Sequence, residues 1–492
     1  MIDTKALKQK ILDLAMRGKL VPQDPNDEPV EELLARIREE RKKLEKEKKI
    51  SKVEESDIYW SDDDNCYYEK NDIPSGWSCL QLQYFSNIYT GNSLNDKQKI
   101  DLSIKLDSFH HYIATKDIDL NGNINYENGL YIPLDYSLKR AKQNSILICL
   151  EGANAGNKIG LINKDVCFVN KLACVSPFIV ISKFVYYFFN SITFNNEFRD
   201  NMQGIIGGIP LSKFKSLSIL IPPLQEQERI VNKIDKLFEL VDKIEKDQQE
   251  LEELKKQAKD KVLELAVTGK LVKQDPNDEP ASVLLERIKV EKEKLIKEGK
   301  IKREKADLEP ISDDDKNYYG QLPINWAWTN LSSLSKSITD GTHKTPKYLD
   351  SGIPFLSIAN ISSGSFDNCP KYISPDEHNQ LTKRAKPEYG DILLCRIGTL
   401  GKPFIVNMTF DFSIFVSLAL IKPIAFKQNE YLKMVLSSPF ISNHIDRIKV
   451  GGGTHTYKIN LDNLLTFPIP CPPQKEQNEI ISKVTELMNL LY

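Results

Sequence analysis

Between residues 230 and 265 the apolar positions recur by fours and threes. Ile230, Ile234, Leu237, Val241, Ile244, Gln248, Leu251, Lys255, Ala258, Val262 and Leu265 form the series, and nine of the eleven are apolar. That spacing predicts a long helix over Gln225 to Val267 with a coiled-coil seam interrupted twice by polar residues. Pro222-Pro223 ends whatever precedes it, Gln225-Glu226-Gln227-Glu228 puts acid into the first turn, and Gly269 suits a C-cap. A second amphipathic helix is expected from about Ala281 to Lys305, with Leu284, Ile288 and Leu295 on one face; an N-terminal arm carries Leu33, Ile37 and Leu44 in the same way. Elsewhere the period changes. Runs such as Ser145–Cys149 and Asp391–Cys395 are short, apolar and bounded by Gly, Asn and Pro, which predicts strands with a few helices.

The pattern occurs twice. Gly18-Lys19-Leu20-Val21-Pro22-Gln23-Asp24-Pro25-Asn26-Asp27-Glu28-Pro29 returns as Gly269-Lys270-Leu271-Val272-Lys273-Gln274-Asp275-Pro276-Asn277-Asp278-Glu279-Pro280, eleven of twelve positions identical at an offset of 251. Ser61–Asp64 matches Ser312–Asp315, Ile73–Trp77 matches Leu322–Trp326, and Pro222–Gln227 matches Pro472–Gln477. Between these fixed points the two copies diverge sharply. A preserved frame with different contents predicts two modules of one skeleton and unlike surfaces. Tyr492 aligns with Asp242 and Met1 with Glu252, so the helix that breaks off at Tyr492 is in effect resumed at Met1. The expected fold class is therefore α+β, a cyclic, pseudo-twofold tandem repeat. Its expected domains are an N-terminal helical arm (1–73), a first module (74–222), a central coiled-coil segment (223–322), a second module (323–472) and a C-terminal helix (473–492) packed with the arm.

Composition narrows the class. The hydrophobic fraction is 40% and the charged fraction 28%, which fits a soluble chain with long charged helices. No run of 18 apolar residues suits a membrane span, and the N-terminus reads as a helix start, so a cytoplasmic protein is expected. The eight cysteines form no CxxC pair and several sit in apolar runs, which favours buried thiols over a disulfide scaffold or a zinc site. The net charge is −2, but each module carries a small positive excess while the helical remainder is negative. That sign suits modules that face phosphate. Catalytic motifs are missing. Gly398-Thr399-Leu400-Gly401-Lys402-Pro403 has the wrong spacing for a P-loop, no Gly-rich dinucleotide fingerprint follows a strand, and the six histidines form no HExxH. The Pro-Pro dipeptides lack the Asn or Asp and the aromatic residue of an amino-methyltransferase site.

Four features together resemble the specificity subunit of type I restriction-modification systems: the Pro222-Pro223-Leu224-Gln225-Glu226-Gln227-Glu228-Arg229-Ile230 string, the two Gly-Lys-Leu-Val segments, the two divergent modules and the cyclic arrangement. The resemblance covers essentially the whole chain. It implies two target-recognition domains, each reading one half of a bipartite, non-palindromic duplex DNA site, held apart by two long antiparallel helical spacers. It implies no catalysis by this chain. Two methyltransferase subunits using S-adenosylmethionine would dock on it to methylate adenine N6, with two ATP- and Mg-dependent restriction subunits as further partners; no cofactor is expected on the chain itself. A helix of 43 residues spans about 64 Å at roughly 1.5 Å per residue, or on the order of 19 base pairs. A structural coiled-coil adaptor with two protein-binding modules is the competing reading; it accounts for the helices but not for divergent modules of positive balance.

Candidate DNA contacts follow from residue type: Lys and Arg position phosphates, while Asn, Arg, Thr and His also read base edges. In the first module they are Asn92 and Ser93 in the Thr90–Ser93 turn, with Lys97, Lys116, Lys139, Arg140, Lys142, Asn154 and Lys158. In the second they are His343, Lys344, Thr345, Asn360, Arg396, Thr399 and Lys402. The Gly451–Lys458 loop adds Thr454, His455, Thr456, Tyr457 and Lys458, where glycines permit close backbone approach. The first module has Gly207-Gly208-Ile209-Pro210-Leu211 there instead, without Thr-His-Thr. Candidate partner-docking residues are the recurring ones at the frame: Gly18, Lys19, Leu20, Gln225, Glu226, Gln227, Gly269, Lys270, Leu271, Glu476 and Gln477.

Overall fold

A computed structural model describes residues 1–52, 73–105, 107–204, 207–304, 311, 320–364, 366, 370–424, 429–452 and 455–491. The chain divides into two compact units, Met1–Gln249 and Glu250–Tyr492. Ser61–Asp64, Tyr67-Tyr68 and their repeats near 312–319 lie outside the described residues.

Unit 1 begins with helices α1 (Thr4–Met16) and α2 (Val30–Lys46). The Asp3 carboxylate caps α1 by accepting from the Ala6 N–H at 2.9 Å. In α2, Glu31 and Glu32 occupy the first turn and Lys43 and Lys46 the last, charges that suit the helix dipole. Its buried positions Val30, Leu33, Leu34 and Ile37 follow the helical period. The long helix α3 runs from Leu224 to Val267, one residue longer at its start than the periodicity predicts. Within unit 1, Ile2 meets Gln248 at 2.6 Å and Lys8 pairs with Asp242 at 2.5 Å, so α1 and this part of α3 run in opposite directions.

Unit 2 continues from α3 through α4 (Ala281–Lys297) to its module and α5 (Gln474–Leu490). Helix α4 stops at Lys297 rather than near Lys305. Gly299 takes φ 70° and the Lys300 N–H turns back to the Leu295 carbonyl at 3.0 Å, an αL stop. Ile480, Ile481 and Val484 of α5 join Leu263, Ala266 and Val267 of α3 in one apolar cluster.

Each module is closed by its own ends. In module 1, β1 (Ser78–Gln81) pairs antiparallel with β10 (Ser218–Ile221). Between them lie β2 (Ser86–Thr90), β3 (Phe109–Ile113), β4 (Tyr131–Pro133), β5 (Arg140–Ala141), β6 (Ile146–Cys149), β7 (Ile159–Leu161), β8 (Val166–Phe168) and β9 (Leu172–Pro177). They form two four-stranded sheets, β2-β9-β6-β7 and β4-β3-β8-β5, with β3 and β8 parallel. The central strands β6 and β9 are buried along their shared length, as continuous apolar runs require.

Module 2 repeats the plan. Strand β11 (Ala327–Asn330) pairs with the last strand, β21 (Pro468–Cys471). The sheet β12-β18-β15-β16 comprises Ser335–Asp340, Leu418–Pro423, Ile392–Cys395 and Pro403–Ile405 in that order. The sheet β14-β13-β17 comprises Lys371–Ile373, Ile353–Leu356 and Ser413–Ile414. A hairpin is added, β19 (Val450–Gly452) with β20 (His455–Lys458). The result is a mixed helix-and-sheet repeat of two modules. Cys149, Cys167, Cys174, Cys395 and Cys471 are buried free thiols. Cys79 departs from the expectation of thiols alone, being disulfide-bonded.

Candidate nucleic-acid interface

The recurring motif residues meet at one joint per unit. In unit 1 the Trp77 indole N–H donates to the Glu226 carboxylate at 3.1 Å; in unit 2 Trp326 donates to Glu476 at 2.9 Å. Both carboxylates are buried, and each has a second oxygen without a hydrogen-bond partner. Burial raises the pKa of Glu226 and Glu476, and the indole bond opposes the shift. Gln227 donates to the Pro222 carbonyl at 2.9 Å, and Gln477 to the Pro472 carbonyl at 3.0 Å. Gly18 (φ 63°) and Gly269 (φ 68°) lie against Pro74 and Pro323, where an added Cβ would stand 2.8 and 2.5 Å from the ring. Arg229 holds Asp27 through two bonds of 2.8 and 2.5 Å; Lys475 reaches Asp278 and Asp275 at 3.3 Å.

These contacts correct part of the docking expectation. Glu226, Gln227, Glu476 and Gln477 are buried and lock each module to its helix, so they offer no surface to another subunit. Of the remaining candidates, Lys19, Gln225 and Lys270 are exposed; Gly18, Leu20, Gly269 and Leu271 are half-buried.

Module 2 gathers most of its candidates into one corner. The Gly341–Thr345 turn follows β12, and His343 Nε2 lies 3.0 Å from the Asp340 carboxylate. The turn after β15 meets the hairpin: the Gly398 N–H donates to the Tyr457 carbonyl at 2.8 Å, and Ile397 bridges Lys458. Thr399, Lys402, Thr456, Tyr457 and Lys458 are exposed there, with the Lys449 ammonium 4.7 Å from the Tyr457 ring centre. Thr454 lies outside the described residues; His455 opens β20.

Two candidates turn inward. Arg396 is buried and donates to Asp340 at 2.7 Å, to the Ile459 carbonyl at 3.0 Å and to the Val416 carbonyl at 3.2 Å. It ties β15 to the base of the hairpin rather than facing solvent. Asn360 is buried and accepts from the Ser357 N–H at 2.9 Å, closing a helical turn. Asp340, itself buried, also pairs with Arg384. The side chains of His343 and Arg384 are 60% and 57% exposed, so one buried carboxylate holds an imidazole and a guanidinium at the surface. Sequence reasoning missed Arg384, which reaches Asp340 across 44 residues.

Module 1 places its candidates in two groups. Asn92 accepts from the Lys139 N–H at 2.8 Å, and Lys139 Nζ donates to the Thr90 carbonyl at 2.9 Å, beside Ser93 and Arg140. Lys158 Nζ donates to the Thr115 carbonyl at 2.9 Å, next to Lys116, and Asn154 opens the turn that leads to Lys158. Lys97 and Lys142 are exposed outside both groups. Where module 2 builds its hairpin, the described residues of module 1 form a Glu151–Gly208 bridge. Among the described residues no group of three or more His, Cys, Asp or Glu is placed to share a metal ion, and no helix is long and apolar enough to cross a membrane.

Two modules of one skeleton, each locked to a helix and each presenting its own polar turns, define a tandem recognition protein. The family model described as "Type I restriction modification DNA specificity domain" matches residues 74–256 and 323–491. The type I restriction enzyme EcoAI specificity subunit of Escherichia coli is 32% identical over 98% of this chain and 89% of its own length. The EcoEI specificity subunit, also from Escherichia coli, is 29% identical over 99% of this chain and 89% of its own. A solved structure on complex assembly and conformational transition of the type I R-M system shares the fold, with a TM-score of 0.57 at 16% identity over 85% of this chain and 92% of that one. The chain belongs to the type I restriction-modification specificity subunits, a family of non-catalytic subunits that supply DNA sequence specificity.

Proposed function

We propose that each module, 74–222 and 323–472, reads one half of a bipartite, non-palindromic duplex site, and that the helical segments between them set the unread spacer. The observation that carries this is the double match to the DNA specificity domain over two modules with one frame and different exposed turns. In the second module His343, Lys344, Thr345, Arg384, Thr399 and the Thr456–Lys458 strand form the reading corner; in the first, the Asn92–Lys139 and Lys116–Lys158 groups do. Helix α3 is one coiled-coil spacer; α1 and α5 contribute to a second, giving a pseudo-twofold arrangement. Two methyltransferase subunits dock on the helical platform around Lys19, Gln225 and Lys270 and bring S-adenosylmethionine for adenine-N6 methylation. Two restriction subunits add ATP- and Mg-dependent cleavage, and the whole works in the cytoplasm. This chain holds no cofactor of its own.

Binding of the full chain to duplex DNA tests the reading. The logarithm of the affinity should fall linearly with the logarithm of salt, by about 0.9 per phosphate neutralised. Affinity indifferent to salt, or absent in the presence of the methyltransferase subunit, would contradict it.

A further inference from the structure

A groove in unit 1 runs between the end of α2 and the edge of β2. Its volume is about 580 Å³, and its charged lining is entirely cationic: Arg41, Lys48, Lys49, Lys139, Arg140 and Lys215. Arg41 donates to the Gln83 and Tyr84 carbonyls and to Glu45, and Lys49 pairs with Glu47 at 2.7 Å. Among the described residues the Lys139 and Arg140 side chains bond to backbone carbonyls and to no carboxylate. Among the described residues Lys48 and Lys215 pair with no carboxylate, and Lys215 faces the like charge of Arg41. Burial and that charge both lower the Lys215 pKa.

The backbone gives a second, independent observation. Lys48 has φ 56°, a left-handed conformation that disfavours a side chain, whereas its repeat counterpart is Gly299 at φ 70°. Unit 1 thus keeps a cation where glycine is the relaxed choice. The counterpart of Lys215 is Leu465, so unit 2 lacks both unpaired cations of the groove. An observed outlier of this kind is grounds for a functional hypothesis.

We propose that this groove seats the phosphate backbone of DNA beside the first half-site, so that the arm helix and not only the module holds the duplex. The inference rests on the function proposed above. Cations line both walls, Lys48 and Lys49 on the arm and Lys139, Arg140 and Lys215 on the module, an arrangement for a polyanion lying along the groove rather than for one small anion. It is continuous with the Asn92–Lys139 group, where bases of the first half-site would be read. Non-specific anchoring is therefore concentrated in unit 1.

The test compares the full chain with a Lys48→Asn/Lys49→Gln/Lys215→Gln variant on a random-sequence duplex across a salt series. Asn tolerates the left-handed conformation at position 48, and unfolding curves check that the fold is kept. The slope of log affinity against log salt should shrink by roughly two to three, near one per lysine. A Lys289→Gln/Lys297→Gln/Lys300→Gln variant removes the same charge from unit 2 and should leave the slope unchanged. If the wild-type chain binds duplex but the groove variant keeps its slope, the groove assignment is overturned while the DNA reading stands. If both triple variants lose slope equally, net charge and not the groove is responsible, which also overturns it. Loss of polyglutamate binding with duplex binding intact would assign the groove to an acidic protein and overturn it too. A wild-type chain without salt-dependent duplex binding fails the underlying reading instead.

Discussion

In unit 1 the turn after the arm helix holds Lys48 and faces a cation-lined groove; in unit 2 the matching turn holds Gly299, and Lys292 donates to the Ser332 carbonyl at 2.7 Å. Unit 2 instead builds a corner around Asp340, where unit 1 has Thr90, and adds a hairpin with no counterpart among the described residues of unit 1. Beneath these differences the joints are the same: glycine against proline, indole against buried glutamate, cation against the Asp-Pro-Asn-Asp turn. The duplicated chain has kept what locks a module to its helix and changed what the module presents. Divergence that spares the joints and reaches the presented surface is what two different half-sites would require.

The largest expected effect comes from breaking what the two units share. Trp77→Ala and Trp326→Ala each remove a buried aromatic and leave a buried carboxylate without its donor, so each should destabilise its own unit by about 3–5 kcal/mol. Denaturant unfolding of the two variants should give losses of similar size. A large loss in one and almost none in the other would break the claim of equivalent joints.

The next effect separates the units. Glu197 in unit 1 is buried, and burial pushes its pKa up to about 7 although the Ser218 N–H donates to it at 2.7 Å. A carboxyl raised in the folded state favours folding in its neutral form. Its influence is neutral to stability below the unfolded value of about 4.5 and becomes a penalty as pH rises through about 7. Unit 1 should therefore lose on the order of 3 kcal/mol between those limits, with Glu226 adding a shift of the same sign. Glu197→Gln should flatten that dependence, read from unfolding midpoints across pH. With the helix caps Ser191 and Ser438 matched, the position in unit 2 is His444, so the carboxyl that gives unit 1 this pH dependence is replaced by an imidazole there. A wild-type curve that rises with pH over the same range would contradict this account.

Much of the frame was legible beforehand because it is local or repeated. The seam from Ile230 to Leu265 predicted α3 to within a residue, and the run Ser145–Cys149 contains β6. The stop of α4 is readable in Gly299, although the apolar pattern alone runs on toward Lys305. The joints were misassigned for a physical reason. Trp77 and Glu226 are 149 residues apart, and recurrence alone does not distinguish a docking surface from an internal lock. Arg396 and Arg384 show the same limit: whether an arginine faces DNA or a buried carboxylate depends on Asp340, 56 and 44 residues away. Lys215 carries no local signal in the sequence, because only folding brings it to the arm. Asn360 looked like a base reader by type and proved to be a local cap.

The central claim, that two unlike modules on one repeated frame read two separated half-sites, is tested most directly by profiling adenine methylation in the genome of cells that carry this chain and its methyltransferase. The account predicts a split motif that depends on this gene, with an adenine methylated in each half and an unread spacer of fixed length between. A continuous motif dependent on this gene would contradict it.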